Sequence, residues 1–239
     1  MSKPDVSKAR SSSRSDNIAN TDLAGAFGSS LRGFGAVGII TIIVILAAGN
    51  LAGAALVLIW AWVSGTRWSD LGLVRPPHGS IDLAIALVAG VFFKIVMKAL
   101  VMPLLGFGAI NSTYHYLSGN TAALLVTLLW VIVGGGFGEE LIWRGFLFER
   151  LGAFLGPREH AKLVIVVVSS ILFALAHLWD QGVPGAVQAT FTGLAFGTVY
   201  ARIRTIWPVM VAHAAFDVAA VLMIYWNLEE PIGHLLLRL

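Results

Sequence analysis

The chain has 239 residues, of which 12% are charged and 57% hydrophobic, and its mean hydropathy is +0.82. Soluble domains average about 25% charged residues, so an ordinary soluble enzyme is excluded; disorder over most of the length is excluded as well, because it needs low hydrophobicity. Zero cysteines exclude a disulfide framework, a thiol nucleophile and a thiolate metal site, and the net charge of +3 bears on placement against a bilayer, with no nucleic-acid partner expected.

Residues 1–32 are rich in serine and carry Lys3, Lys8, Arg10, Arg14 and Arg32. They read as a disordered, basic, solvated tail. They lack the apolar core of a signal peptide, so no cleaved secretory signal is expected. Residues 33–239 read as a single transmembrane helical domain. From Gly33 to Thr66 no residue is charged. One helix over that stretch would be about 50 Å long against about 30 Å of hydrocarbon, which suggests two short spans meeting near Gly49-Asn50. Further apolar segments follow at about 82–105, 121–143, 162–179, 185–201 and 206–226.

Loop charge alternates along these segments. The loop 64–81 carries Arg67 and Arg75, 144–162 carries Arg144, Arg150, Arg158 and Lys162, and 202–205 carries Arg202 and Arg204. Loops 106–120 and 180–184 carry neither Lys nor Arg. Short cytoplasmic loops concentrate Lys and Arg, so the alternation predicts a cytoplasmic amino terminus and seven spans, with six as the alternative. The expected fold is an all-α, polytopic helical bundle with a polar chamber between helices. Helices are expected because lipid demands internal backbone hydrogen bonding, and the period-2 alternation of barrel strands is absent.

An ionisable group at a helix centre costs about 2.5–3.5 kcal/mol on insertion scales, which makes such residues functional candidates. They fall into three clusters. Glu140 and Arg144 are four apart and can pair on one helix face, while Glu139 points about 100° away without that partner. Two carboxylates and one guanidinium in a low dielectric are not expected to stay fully charged together, which suits one glutamate, Glu139, to act as a general base. Gly134, Gly135, Gly136 and Gly138 would let neighbouring helices approach this point closely. In the second cluster Phe173 lies one turn below His177 and can wall a polar chamber. The third places His213 and Asp217 four apart in an otherwise apolar span, a spacing that can coordinate a metal or orient a substrate oxygen. Lys94 and Lys98 also share a face, either snorkelling to an interface or lining a chamber wall that attracts an acidic group. If the chain turns near Pro157, Glu139 and His177 reach similar depth.

Glu-Glu-x-x-x-Arg at 139–144, Phe-x-x-x-His at 173–177 and His-x-x-x-Asp at 213–217 together resemble the CAAX-protease and bacteriocin-processing family. These are intramembrane endopeptidases related to the type II CAAX prenyl endopeptidase. Leu71-Gly72-Leu73 and Trp207-Pro208 are softer similarities, and the resemblance covers about 70–220, the expected catalytic core. It implies a helical bundle with a water-filled conical chamber, in which Glu139 and His177 activate a water for attack on a peptide carbonyl. His213 and Asp217 would stabilise the oxyanion or orient the substrate, and Glu140, Arg144 and Phe173 would support them. Members have been described both as metalloproteases and as glutamate proteases. A metal, with zinc the candidate, would fall to His177, His213 and Glu139; the zincin signature His-Glu-x-x-His is absent, so a metal-free glutamate mechanism without cofactor is the preferred reading.

Other intramembrane protease chemistries fit less well. No Gly-x-Ser-Gly occurs, and Gly136-Phe137-Gly138-Glu139 lacks the Tyr-Asp that should accompany an aspartyl-type motif. The expected function is cleavage of a membrane-associated peptide or protein in a lipid bilayer, in a bacterial inner membrane. The rival readings are a proton-coupled transporter, which usually shows paired repeats not found here, and a catalytically silent scaffold or immunity protein.

Overall fold

The computed structural model describes residues 25–237, and among them the regular structure is helical. The tail expected over 1–32 lies outside the described residues as far as residue 24; the next eight form a short helix, α1 (Gly25–Arg32), bent by 63° against α2 (Ala36–Ala48). There follow α3 (Asn50–Ser64), α4 (Ser80–Leu104), α5 (Thr121–Leu155), α6 (Ala161–Ile203), α7 (Trp207–Tyr225) and α8 (Glu229–Gly233). Local chemistry sets the ends. Gly65 closes α3 in the left-handed region, the Asn120 side chain accepts the Ala123 N–H at the start of α5, and Pro208 occupies the first turn of α7.

Four helices, α4 to α7, are long and apolar enough to cross a membrane, and a fifth crossing is counted if the bent α1–α2 pair is one span. Seven crossings are not reached on that measure, for two reasons. First, α2 and α3 have 13 and 15 residues, so they are about 20 and 22 Å long against about 30 Å of hydrocarbon. They reverse at Gly49 (φ 59) and Asn50 (φ 33), where the sequence places the turn. The tip rests against the middle of α5: a Cβ on Gly138 would come within 3.1 Å of the Asn50 carbonyl. From there α3 runs beside the second half of α5, with Gly53 on the Ile142 side chain and Trp60 edge-on to Phe146 at 4.8 Å. The first half of α5 extends 17 residues beyond the tip, about 25 Å of helix. The hairpin therefore returns to its own side at mid-depth.

Second, α6 counts once by length but consists of two arms, 161–181 and 183–203. The break is Gly182, at φ 64 and ψ −165, with Pro184 just after it; only glycine adopts that backbone without strain. Contacts of Gly193 with Ser170 and of Gly197 with Val166 step evenly away from Gly182, so the arms are antiparallel.

The two ends of the bundle are distinct. At one, Ile206 N–H donates to the Gly72 carbonyl at 2.9 Å, Thr205 Oγ1 to that of Val74 at 2.7 Å and Arg150 to that of Arg32. The Leu71-Gly72-Leu73 and Trp207-Pro208 stretches meet here. At the other, Gly119 N–H donates to the Tyr225 carbonyl at 3.0 Å and Lys98 pairs with Glu229 at 2.8 Å. Between them lies an aromatic core containing Trp60, Phe146, Phe173, Phe196, Tyr200 and Phe216. α4 and α7 touch backbone to backbone, since a Cβ on Gly90 would fall 2.1 Å from the Ala212 carbonyl oxygen.

Candidate active site

All three polar clusters converge at one point in the bundle. α5 departs from ideal helix there, with wide π-type turns over Val131–Glu139 and Leu141–Phe146. Four glycines in the nine positions Val131–Glu139 weaken the ordinary helical preference, and such wide turns recur at functional sites. The same glycines admit the partners. Gly135 faces Asp217, whose Oδ2 would lie 2.7 Å from an added Cβ, and Gly136 faces Ala214 on α7; Gly134 instead lies against Trp130 of its own helix.

Glu139 Oε2 lies 3.7 Å from His177 Nε2 and 4.0 Å from His213 Nε2. His213 Nε2 is in turn 3.5 Å from Asp217 Oδ2. The other nitrogen of each ring is committed. His177 Nδ1 bonds the Phe173 carbonyl at 2.9 Å, and because a carbonyl only accepts, Nδ1 carries the proton. In the neutral ring Nε2 is then an acceptor aimed at Glu139. His213 Nδ1 bonds Glu140 Oε1 at 2.7 Å, and Arg144 Nη1 donates to the same oxygen at 2.7 Å. Arg144 also donates to the Gly193 carbonyl at 3.4 Å and lies over the Phe173 ring at 4.8 Å. Glu140 and Arg144 are fully buried, and Glu140 Oε2 has no hydrogen-bond partner among the described residues. Phe173 walls the site, with its ring 4.3 Å from that of His177 and 6.1 Å from that of His213.

The cluster sits on a chamber of about 1200 Å³ lined by Glu139, His177, His213, Asp217 and Phe173. Sequence reasoning missed several other lining groups: Asn50 at the hairpin tip, Tyr114 in the α4–α5 loop, Asp180 beside the α6 break, and Gln188. Asn50 and Gln188 were detectable as polar residues inside apolar runs; Tyr114 carried no such signal. Burial holds the Tyr114 phenol above its ordinary range, which keeps it a hydrogen-bond donor. The two lysines separate in role. Lys94 lines the chamber and donates to Gln188 Oε1 at 3.0 Å, whereas Lys98 is neutralised by Glu229 and also bonds the Ala109 carbonyl.

Among the described residues, no three His, Asp or Glu side chains are disposed to hold a metal ion, and the set named for zinc (His177, His213 and Glu139) is no exception. In both rings Nδ1 is committed, to the Phe173 carbonyl and to Glu140, and each Nε2 faces Glu139.

Residues 120–219 match the family model Rce1-like, described as type II CAAX prenyl endopeptidase Rce1-like. That segment contains Glu139, His177, His213 and Asp217, so the family read from the three motifs is the one the match supports. The protein is thus a helical membrane protein whose residues 120–219 are similar to the type II CAAX prenyl endopeptidase family. No curated protein and no solved structure matches the chain.

Proposed function

We propose that the chain is an intramembrane endopeptidase in which Glu139 activates a water molecule. The observation that carries this is the convergence of two imidazole Nε2 atoms on one Glu139 oxygen, within 4.0 Å, at the wall of a large chamber. A water between Glu139 and His177 would give one proton to the carboxylate and a hydrogen bond to His177 Nε2. Its oxygen would attack the peptide carbonyl carbon, placing the electron pair on the carbonyl oxygen. Collapse of that tetrahedral species breaks the C–N bond, and the proton held by Glu139 leaves with the nitrogen, yielding a carboxylic acid and an amine, which then ionise to a carboxylate and an ammonium.

The oxyanion needs a donor. With Nδ1–H committed to Glu140, His213 supplies one from Nε2 when it carries a second proton, with Asp217 Oδ2 3.5 Å from that nitrogen. Glu140 and Arg144 act at one remove by fixing the His213 ring. The substrate class is a membrane-associated peptide or protein, in keeping with the prenyl endopeptidase named in the family description. The reading is tested by comparing protein termini in membranes carrying wild type or Glu139→Gln at matched expression. Termini found only with wild type support it, and identical sets with a folded variant overturn it in favour of transport or binding.

A further inference from the structure

We propose that the chamber opens at the extracytoplasmic face, and that its substrates are membrane proteins cut in the outer half of the bilayer or just beyond it. The substrate half of this statement rests on the peptidase reading; the orientation half does not.

Two features of the molecule define the membrane and its polarity. Six tryptophans are exposed, and they divide between the ends: Trp62, Trp68 and Trp207 at one, Trp130, Trp179 and Trp226 toward the other. Belts of this kind mark the two interfaces. Eight Lys and Arg lie at the first end, Arg32, Arg67, Arg75, Arg158, Lys162 and Arg204 among them. Among the described residues the loops at the second end carry none; their charges are Asp180, Glu229 and Glu230, with Lys98 already paired to Glu229. Concentration of basic residues in short loops marks the cytoplasmic side, so the first end is inside.

The chamber belongs to the second end. Its rim is built from Asn111, Tyr114 and Tyr116 of the α4–α5 loop and from Trp179, Asp180 and Gln181 at the α6 break. No residue of the basic-end turns lines it. Glu139 lies nine residues below Trp130 on α5, inward of the outer belt. The half-depth α2–α3 hairpin shapes the access further. Leu51 and Ala52 at its tip form the floor. Above them, Val126 and Trp130 of α5 and Trp179 of α6 line the chamber while remaining exposed, so a chain segment can enter sideways from the outer leaflet as well as from water. A cytoplasmic carboxyl-terminal tail meets the closed, basic end instead.

The absence of cysteine makes the test direct. Single cysteines are introduced at the rim loop (Ser112→Cys, Thr113→Cys) and at the basic end (Ser69→Cys, Glu159→Cys), all at exposed positions. Intact cells and lysed cells are then treated with a membrane-impermeant maleimide. The rim cysteines are expected to label equally in both, and the basic-end cysteines only after lysis; the reverse pattern overturns the orientation. Two positions at each end guard against a variant that fails to insert. Cleavage sites from the comparison of wild type with Glu139→Gln are then placed on the topology of their substrates. Sites in outer halves or external stretches support the substrate class, and cytoplasmic sites overturn it. A rim that labels from outside with no wild-type-specific termini overturns the peptidase reading and the substrate class together while the orientation stands.

Discussion

His213 and Glu140 are joined across two helices by a 2.7 Å hydrogen bond from Nδ1 to Oε1. The same carboxylate oxygen receives Arg144, so the α5 ion pair also locks a ring on α7. Glu140 thereby becomes a positioning residue for His213 as well as the partner of Arg144. The three residues form a buried chain whose free end, His213 Nε2, faces Glu139 and Asp217.

Glu139 makes no hydrogen bond as short as those of Glu140; its nearest ring nitrogen is 3.7 Å away. Glu139→Gln is therefore expected to leave thermal unfolding in detergent nearly unchanged while lowering cleavage by about 10²–10⁴-fold, the usual contribution of a general base. A single-turnover cleavage assay beside a melting curve checks both halves.

Arg144→Met is expected to behave oppositely. It leaves the fully buried Glu140 without its countercharge, and breaking a buried pair in this way costs about 3–5 kcal/mol. The melting temperature should fall well below that of Glu139→Gln, and activity should fall with it. Equal melting temperatures for the two variants would contradict the positioning role.

Two glycines separate geometry from stability. In Gly135→Ala the new Cβ meets only the Asp217 carboxylate at 2.7 Å, a side chain free to swing aside. Activity is expected to drop by about 10²-fold, as for a misplacement of about 1 Å at a reacting centre, with the melting temperature retained. In Gly90→Ala the Cβ meets the Ala212 backbone at 2.1 Å, so α4 and α7 must separate. Overpacking of that kind costs about 1–3 kcal/mol or more, visible in the melting curve.

The metal-free reading predicts that chelators leave cleavage by the purified protein unchanged. Loss of activity on chelation, restored by zinc, would overturn the metal-free reading.

Much of the site could be read from residue types and spacing because charge in an apolar run is rare and costly. Glu139, His177, His213 and Asp217 stood out for that reason, and the structure brings all four to one chamber. Depth was harder to read. Loop charge required only that the stretch from Gly33 to Thr66 return to its starting side, and a half-depth hairpin returns as well as two full spans do. Spacing along one helix likewise exposed the Glu140–Arg144 pair but could not show Glu140 reaching His213, 73 positions away. Asn50 lay at the turn the sequence suggested, yet its place against Gly138 depends on how two helices pack.

The turn at Gly49-Asn50 also bears on biogenesis. Both ends of the α2–α3 unit stay on one side, and its tip carries no charge, so insertion drags no hydrophilic loop through the lipid. Its contacts with α5, Asn50 on Gly138 and Gly53 on Ile142, make the same uncharged tip part of the chamber wall.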